Sequence, residues 1–289
     1  MYNTNMPKLG QHFLRDAGAL RRIASALEIE AGDSIVEIGP GHGELTRFLL
    51  PRTKETGAEL FLVEKDRRLA VSLLGSLGSE PVRIVHEDAL RIIPGIAKEA
   101  SALKLAGNLP YYLSGRLFRL LYTLEPRPEL SVFTLQREVA ERIAAKPPRM
   151  NRLAASVQFW AEPVILGNLP ARSFLPPPKV DSAIIRLKRK REAAPVSAES
   201  FDRILGLLFR QPRKTVRNNI ASGTDREKAE KMLGEAGISG DQRPQDLGMP
   251  EIFKLARVYP AKDQDGAANP EDRGRSASSG TYGTFADDL

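Results

Sequence analysis

Cysteine is absent from all 289 residues. That excludes disulfides, thiolate zinc sites and every reaction that needs a thiol nucleophile. Histidine is almost as scarce: His12, His42 and His86 stand without ligand spacing, so no structural metal is expected. Long apolar runs are missing too. No stretch reaches the ~18 residues of a membrane span, and Met1 to Gly10 lack the charged-then-apolar order of a signal segment. A cytoplasmic protein with no membrane partner is expected. Large apolar side chains are few in residues 261–289, which are mostly Gly, Ser, Asp and Ala. Such a stretch cannot offset the entropy of ordering, so a disordered tail is expected there.

What remains is an ordinary globular composition, 42% apolar and 27% charged, enough for one full-sized core and a second, smaller one. The formal charge of +7 is unevenly placed. Residues 261–289 hold 3 basic and 6 acidic side chains, which leaves residues 1–260 with 40 basic against 30 acidic, a net +10. An excess of that size suits a polyphosphate partner, although many basic proteins bind no nucleic acid.

Between Ala24 and about Leu187, short β-rich runs alternate with helical patterns, which predicts a parallel sheet covered on both faces. The strand candidates are Ser34–Ile38, Glu59–Val63, Val82–Val85, Leu103–Ala106, Leu130–Leu135, Pro163–Leu166 and Ser182–Leu187. Each of the first four runs into a loop carrying Gly, Asp, Glu or Asn. In open α/β sheets the ligand sits outside the carboxyl ends of the strands. After Lys188-Arg189-Lys190-Arg191 and a short Ala/Pro/Ser stretch, the pattern becomes helical only. Phe201, Ile204, Leu205 and Leu208 form an apolar stripe, Thr224 with Glu227 reads as a capping box, and Pro250 opens a last helix. The expected organisation is a domain over 1–192, a small all-helical domain over 198–260 and the tail over 261–289.

The first strand runs into Glu37-Ile38-Gly39-Pro40-Gly41-His42-Gly43-Glu44 and then a helix. This is GxGxG, one residue short of the dinucleotide fingerprint, and suits close backbone approach to a smaller, phosphate-free ligand. Tight turns need glycine too. Glu64 closes the second strand, where an acid can accept hydrogen bonds from both ribose hydroxyls. Asp88 closes the third, where a carboxylate can accept from an adenine amine. Strand-end carboxylates also cap helices, so both readings stand at this point.

Asn108-Leu109-Pro110-Tyr111-Tyr112 closes the fourth strand. An exocyclic adenine amine is a poor nucleophile because its lone pair is delocalised into the ring. An Asn side-chain oxygen with a neighbouring backbone carbonyl can accept both amine hydrogens and direct the lone pair at a methyl donor. Tyr111 offers a face for the base, worth roughly 1–3 kcal/mol. No strong general base is needed, since a methylated amine loses its proton to water readily. Phe174, before Pro176-Pro177-Pro178, is expected at a fixed place on the surface, as a second face that sandwiches a flipped adenine against Tyr111. A core phenylalanine beside a rigid linker is the alternative. Methylation at cytosine C5 is excluded, because it needs a cysteine.

The glycine loop with Glu64 and Asp88 resembles the class I S-adenosylmethionine-dependent methyltransferases, a Rossmann-like α/β fold with a seven-stranded, mostly parallel sheet. That resemblance implies S-adenosylmethionine as cofactor, with Gly39 and Gly41 lining its methionine and ribose, Glu64 holding the ribose and Asp88 reading the adenine amine. Lys8-Leu9-Gly10-Gln11-His12-Phe13-Leu14, Glu37 to Gly41, Gly107 to Tyr111 and Phe174 to Ser182 together resemble the rRNA adenine N6,N6-dimethyltransferases, in their bacterial small-subunit branch up to about Tyr259. The resemblance implies dimethylation of two adjacent adenines in the 3′-terminal hairpin of small-subunit (16S) rRNA, late in assembly of the 30S subunit, by a monomer. It also places His12, Leu14 and Asn108 beside the cofactor. His12 and Tyr112 stand where the family often has Asn. Phe209 to Asn219 resembles the family's basic segment, with Pro212 in place of a basic residue, and makes Arg213, Lys214 and Arg217 candidate RNA contacts. A solvated helix face is the alternative for that run. Two other functions remain open: the related antibiotic-resistance methyltransferase of large-subunit rRNA, and a non-catalytic ribosome-assembly factor.

Overall fold

Ile35, Val36 and Ile38 are buried together with their polar neighbours Asp33, Ser34 and Glu37, so this strand is enclosed on both faces. Such enclosure belongs to a parallel sheet sandwiched by helices. The computed structural model describes residues 11–259. The first three residues of the Lys8–Leu14 motif and the expected disordered tail lie outside the described residues.

In chain order the elements are β1 (Phe13–Leu14), α1 (Ala17–Ala26), β2 (Asp33–Ile38), α2 (Thr46–Thr56), β3 (Glu59–Glu64), α3 (Arg67–Leu77), β4 (Arg83–His86), α4 (Ala89–Glu99) and β5 (Ala102–Asn108). There follow α5 (Ser114–Thr123), β6 (Leu130–Gln136), α6 (Arg137–Ile143), α7 (Arg152–Gln158), β7 (Ala161–Leu169), β8 (Phe174–Leu175) and β9 (Ser182–Arg189). The last helices are α8 (Ala198–Leu208), α9 (Val216–Ala221), α10 (Arg226–Ala236) and α11 (Met249–Val258). All seven expected strands are present, in the order β4-β3-β2-β5-β6-β9-β7. Pairings from β4 through β6 are parallel, and β9 runs antiparallel between β6 and β7. From β2 the chain winds outward to β3 and β4, then returns to start β5 on β2's other side. The carboxyl ends of β2 and β5 therefore flank the switch point, where an open α/β sheet leaves a crevice.

Asp16, Asp66 and Asp88 cap α1, α3 and α4, each accepting from backbone N–H groups of the first turn. A second, two-stranded sheet pairs β1 with β8, setting Phe13 opposite Leu175 and Leu14 opposite Phe174. Sequence periodicity cannot reveal two-residue strands.

The described chain divides into two compact units, one of residues 11–144 with 160–191, the other of residues 145–159 with 192–259. Residues 145–159, placed within 1–192 by the sequence reading, thus group with the helical unit. There Phe201, Ile204, Leu205 and Leu208 are fully buried, with Phe159 and Phe253 rings 4.6 and 5.4 Å from that of Phe201. The expected Thr224/Glu227 capping box does not form. Asp225 caps α10 through Lys228 N–H, and the Thr224 hydroxyl donates to Ile220 O, because the helix starts one residue later than the motif implied. Among the described residues no helix is long and apolar enough to cross a membrane.

Candidate active site

The glycine loop leaves β2 at Ile38. Gly39 and Gly41 adopt φ of +64° and +63°, the left-handed region that side-chain-bearing residues rarely enter. At Gly41 a second constraint applies: a Cβ there would lie 2.8 Å from the Phe13 ring. The ring packs directly on the loop, and also 4.7 Å from the ring of His42. Gly107, one residue before the end of β5, has no room for a Cβ either, since one would come within 2.5 Å of Ile38 O. The ends of β2 and β5 thus approach as closely as backbone permits.

Two carboxylates close the crevice. Glu64, 4% exposed, accepts from Gly41 N at 3.2 Å and Asp66 N at 2.8 Å. Burial pushes its pKa up, against the pull of those two backbone bonds. Asp88 accepts from Leu90 N at 3.0 Å and Lys65 Nζ at 3.1 Å. Burial acts to raise its pKa, but the Leu90 N–H and the Lys65 ammonium outweigh that and hold it low. Asp88 therefore does cap α4, and the capping reading and the ligand reading are compatible in one residue. Behind the loop, Glu37 is buried and accepts from the Thr46 hydroxyl at 2.7 Å; burial pushes its pKa up to about 8, and nearby Glu44 and Glu64 add to the rise. A lining with the Glu64 and Asp88 carboxylates disfavours a pyrophosphate and suits a ligand bearing hydroxyls, an amine or a positive charge.

The opposite wall is the end of β5. Asn108 donates through Nδ2 to His12 O at 2.6 Å, which leaves Oδ1 as the amide's acceptor. Leu109 N–H donates to Thr134 O at 2.9 Å, and Pro110 O accepts from Leu113 N at 2.9 Å in a 3-10 turn over Tyr111–Leu113. Tyr111 lies 3.4 Å through its hydroxyl from Ser182 Oγ, and its ring is 6.0 Å from that of His12. His12 in turn donates from Nδ1 to Pro176 O at 2.8 Å.

One cavity is lined by His12, Gly39, Gly41, Glu64, Asp88, Asn108, Leu109, Pro110, Tyr111 and Phe174 of the expected residues, with half-exposed Tyr112. Leu14 does not line it. Successive strand residues face opposite ways, so Leu14 points into the core, 1% exposed, and Phe13 takes the place beside the cavity. Phe174 is not a surface residue: it is 5% exposed and packs in the core cluster with Leu14, Leu20 and Ile23 while reaching the cavity. Its pairing with Leu14 explains why the rigid proline run holds it inward. Phe13 and Glu37 were missed. Both lie inside motifs quoted above, but only tertiary packing distinguishes them from their neighbours. In the helical unit, Arg213 and Lys214 are exposed, whereas Arg217 is engaged at 2.6 Å with Glu230 and 2.5 Å with Asp241. Arg217 is an internal ion-pair residue, unlike the other two.

A family model described as Ribosomal RNA adenine dimethylase matches residues 2–259. A Ribosomal RNA small subunit methyltransferase A of Dehalococcoides mccartyi is 35% identical over 257 residues, 87% of this chain and 87% of its own. Among solved structures, the 23S rRNA methyltransferase ErmE superposes with a TM-score of 0.68 at 26% identity, covering 85% of this chain and 98% of its own. A dimethyladenosine transferase from Plasmodium falciparum superposes with a TM-score of 0.69 at 23% identity, covering 84% and 96%, a likeness of fold alone.

Proposed function

This chain belongs to the ribosomal RNA adenine dimethylase family, and from that premise we propose that it dimethylates N6 of two adjacent adenines in the 3′-terminal hairpin of small-subunit rRNA within the immature 30S subunit. Its fold is that of a class I S-adenosylmethionine-dependent methyltransferase with a C-terminal helical region. The observation that carries the reading is the Asn108 amide, locked by His12 O at the switch point beside the glycine loop. S-adenosylmethionine, when bound, supplies the methyl group.

With S-adenosylmethionine bound, Gly39 and Gly41 would offer it bare backbone, Glu64 would accept from its ribose hydroxyls and Asp88 from its adenine amine. On the substrate side, Asn108 Oδ1 takes one amine hydrogen. The carbonyl of Leu109 takes the other, since that of Pro110 is engaged by Leu113. Both acceptors favour a pyramidal nitrogen with its lone pair free to attack. Tyr111 and the cavity-facing part of Phe174 hold the ring between them. The proton released after each transfer passes to water. Positioning, rather than acid–base chemistry, does the catalytic work.

Identity favours the small-subunit substrate: 35% to the Dehalococcoides relative against 26% to ErmE. The test is methyl transfer by the full chain and by Asn108→Ala to immature small subunits and, separately, to protein-free large-subunit rRNA. Activity is expected on the former alone and should fall on the order of 100-fold in the variant, with S-adenosylmethionine affinity retained. Parental rates in Asn108→Ala remove that residue from the mechanism; preference for large-subunit rRNA reverses the substrate assignment.

A further inference from the structure

A single buried amide holds the basic segment of the helical unit in shape. Asn219 is 1% exposed, in a position where most residues are apolar. Its Oδ1 accepts from Gln211 N at 3.0 Å. Its Nδ2 donates to the carbonyls of Gln211 at 3.0 Å, Lys214 at 3.2 Å and Thr215 at 3.0 Å. One side chain thus satisfies both backbone groups of Gln211 and ties the two ends of the loop 211–215 together. Lys214 N–H closes the loop further by donating to Gln211 O at 2.9 Å.

The side chains on this loop take no part in that network. Arg210, Gln211, Pro212, Arg213 and Lys214 are all exposed. Among the described residues, Arg217 is the basic group of this segment that meets acids, while Arg210, Arg213 and Lys214 have no ion-pair partner. Three like charges on one short loop repel, and a flexible loop would spread them. Here the backbone is tied from inside by the Asn219 bonds. A connection that only joined α8 to α9 would need neither the lock nor the charges. Fixing a charged loop in advance lowers the ordering cost of meeting an opposite charge.

We propose that Asn219 is a positioning residue for RNA: it preorganises the 210–215 loop so that Arg210, Arg213 and Lys214 meet phosphates of an RNA backbone. This inference rests on the reading of rRNA as substrate. Phosphate contacts carry no sequence information, so the loop's contribution is the same on any RNA of equal length and shape.

The test uses the full chain and fluorescence anisotropy with two labelled RNA hairpins of equal length, one with the small-subunit 3′-terminal sequence and one unrelated. Asn219→Ala should weaken binding to both by about 3- to 10-fold and reduce the slope of log K against log salt by about 1 to 2. KM for RNA should rise with kcat unchanged. The pair Arg213→Ala with Lys214→Ala should cost clearly less in the Asn219→Ala background than in the parent. Pro212→Gly, at an exposed position, loosens the same loop with Asn219 intact and should reproduce part of the loss, so it decides the matter if Asn219→Ala does not fold. Additive losses in the cycle, or unchanged RNA affinity in Pro212→Gly, overturn the proposal. The substrate reading fails by a different result: binding to both hairpins without methyl transfer to immature small subunits.

Discussion

Replacing Glu37 by glutamine probes the electrostatics beneath the glycine loop. In the folded chain burial moves this carboxyl from 4.5 to about 8, with the Thr46 hydroxyl pulling it down and Glu44 and Glu64 pushing it up. The unfolded chain gives up its proton near pH 4.5, and the folded chain keeps it to about pH 8. Inside that window the folded state binds more protons, so stability falls as pH rises. The contribution is complete below the lower value and lost above the upper one. At about 1.36 kcal/mol per unit, the full window amounts to on the order of 4–5 kcal/mol. Glutamine cannot ionise. Its carbonyl keeps the Thr46 bond, and its N–H groups can face the Glu44 and Glu64 carboxylates. Urea midpoints of parent and variant near pH 5, 6, 7 and 8 should therefore diverge by about 1 kcal/mol per unit in favour of Glu37→Gln. Groups common to both chains cancel in the difference. A difference that stays flat over this range refutes a proton held at Glu37.

Three further outcomes follow from the same geometry. Gly41→Ala forces a left-handed φ on a side-chain-bearing residue, at about 1–2 kcal/mol, and drives its Cβ into Phe13; calorimetry should find S-adenosylmethionine binding at least ~10-fold weaker, and unchanged affinity would show that the loop is not in contact with the cofactor. Phe174→Ala should lower unfolding stability by about 3–5 kcal/mol because it empties a core site, whereas Phe174→Leu should keep the fold and raise KM for RNA; a stable Phe174→Ala chain contradicts the core placement. Glu64→Gln should weaken cofactor binding and remove its loss toward acid pH, since burial raises the pKa of Glu64 from its ordinary value; a parent whose affinity does not fall on acidification would count against that carboxylate as the ribose acceptor.

The sheet was legible because its central strands β2, β3, β5 and β6 are largely enclosed runs rich in β-branched and large apolar residues, and each ends in a residue whose chemistry differs from the run. Ile35, Val36 and Ile38 before Gly39 announce both an element and its end. The β1–β8 ribbon was not legible. Two residues carry no period, and the pairing joins positions about 160 apart in sequence, so nothing local marks it. The same blindness explains the exchange of Leu14 for Phe13, which turns on a single step of alternation. Arg217 looked like Arg213 and Lys214 in a run of positive charge. Its partners, Glu230 and Asp241, arrive from later in the chain, and only the fold separates a charge spent internally from one held outward.

That ribbon also decides how the Asn108 amide is aimed. A side-chain amide at a strand end can present oxygen or nitrogen to a crevice, and the two choices have opposite consequences for an amine. Here His12 O takes the Asn108 Nδ2 hydrogen, so the orientation is set by backbone of the N-terminal segment. That segment is itself registered by Leu14 in the core and by Arg15 N donating to Ser173 O at 2.8 Å. A slip of one residue in this pairing would put Phe13 in the core and Leu14 on the glycine loop, and would withdraw the carbonyl that aims Asn108. The Asn108 amide, the acceptor in the proposed mechanism, is therefore positioned by a contact nearly a hundred residues away in sequence, which is why the Asn108 loop by itself says so little about what that amide can do.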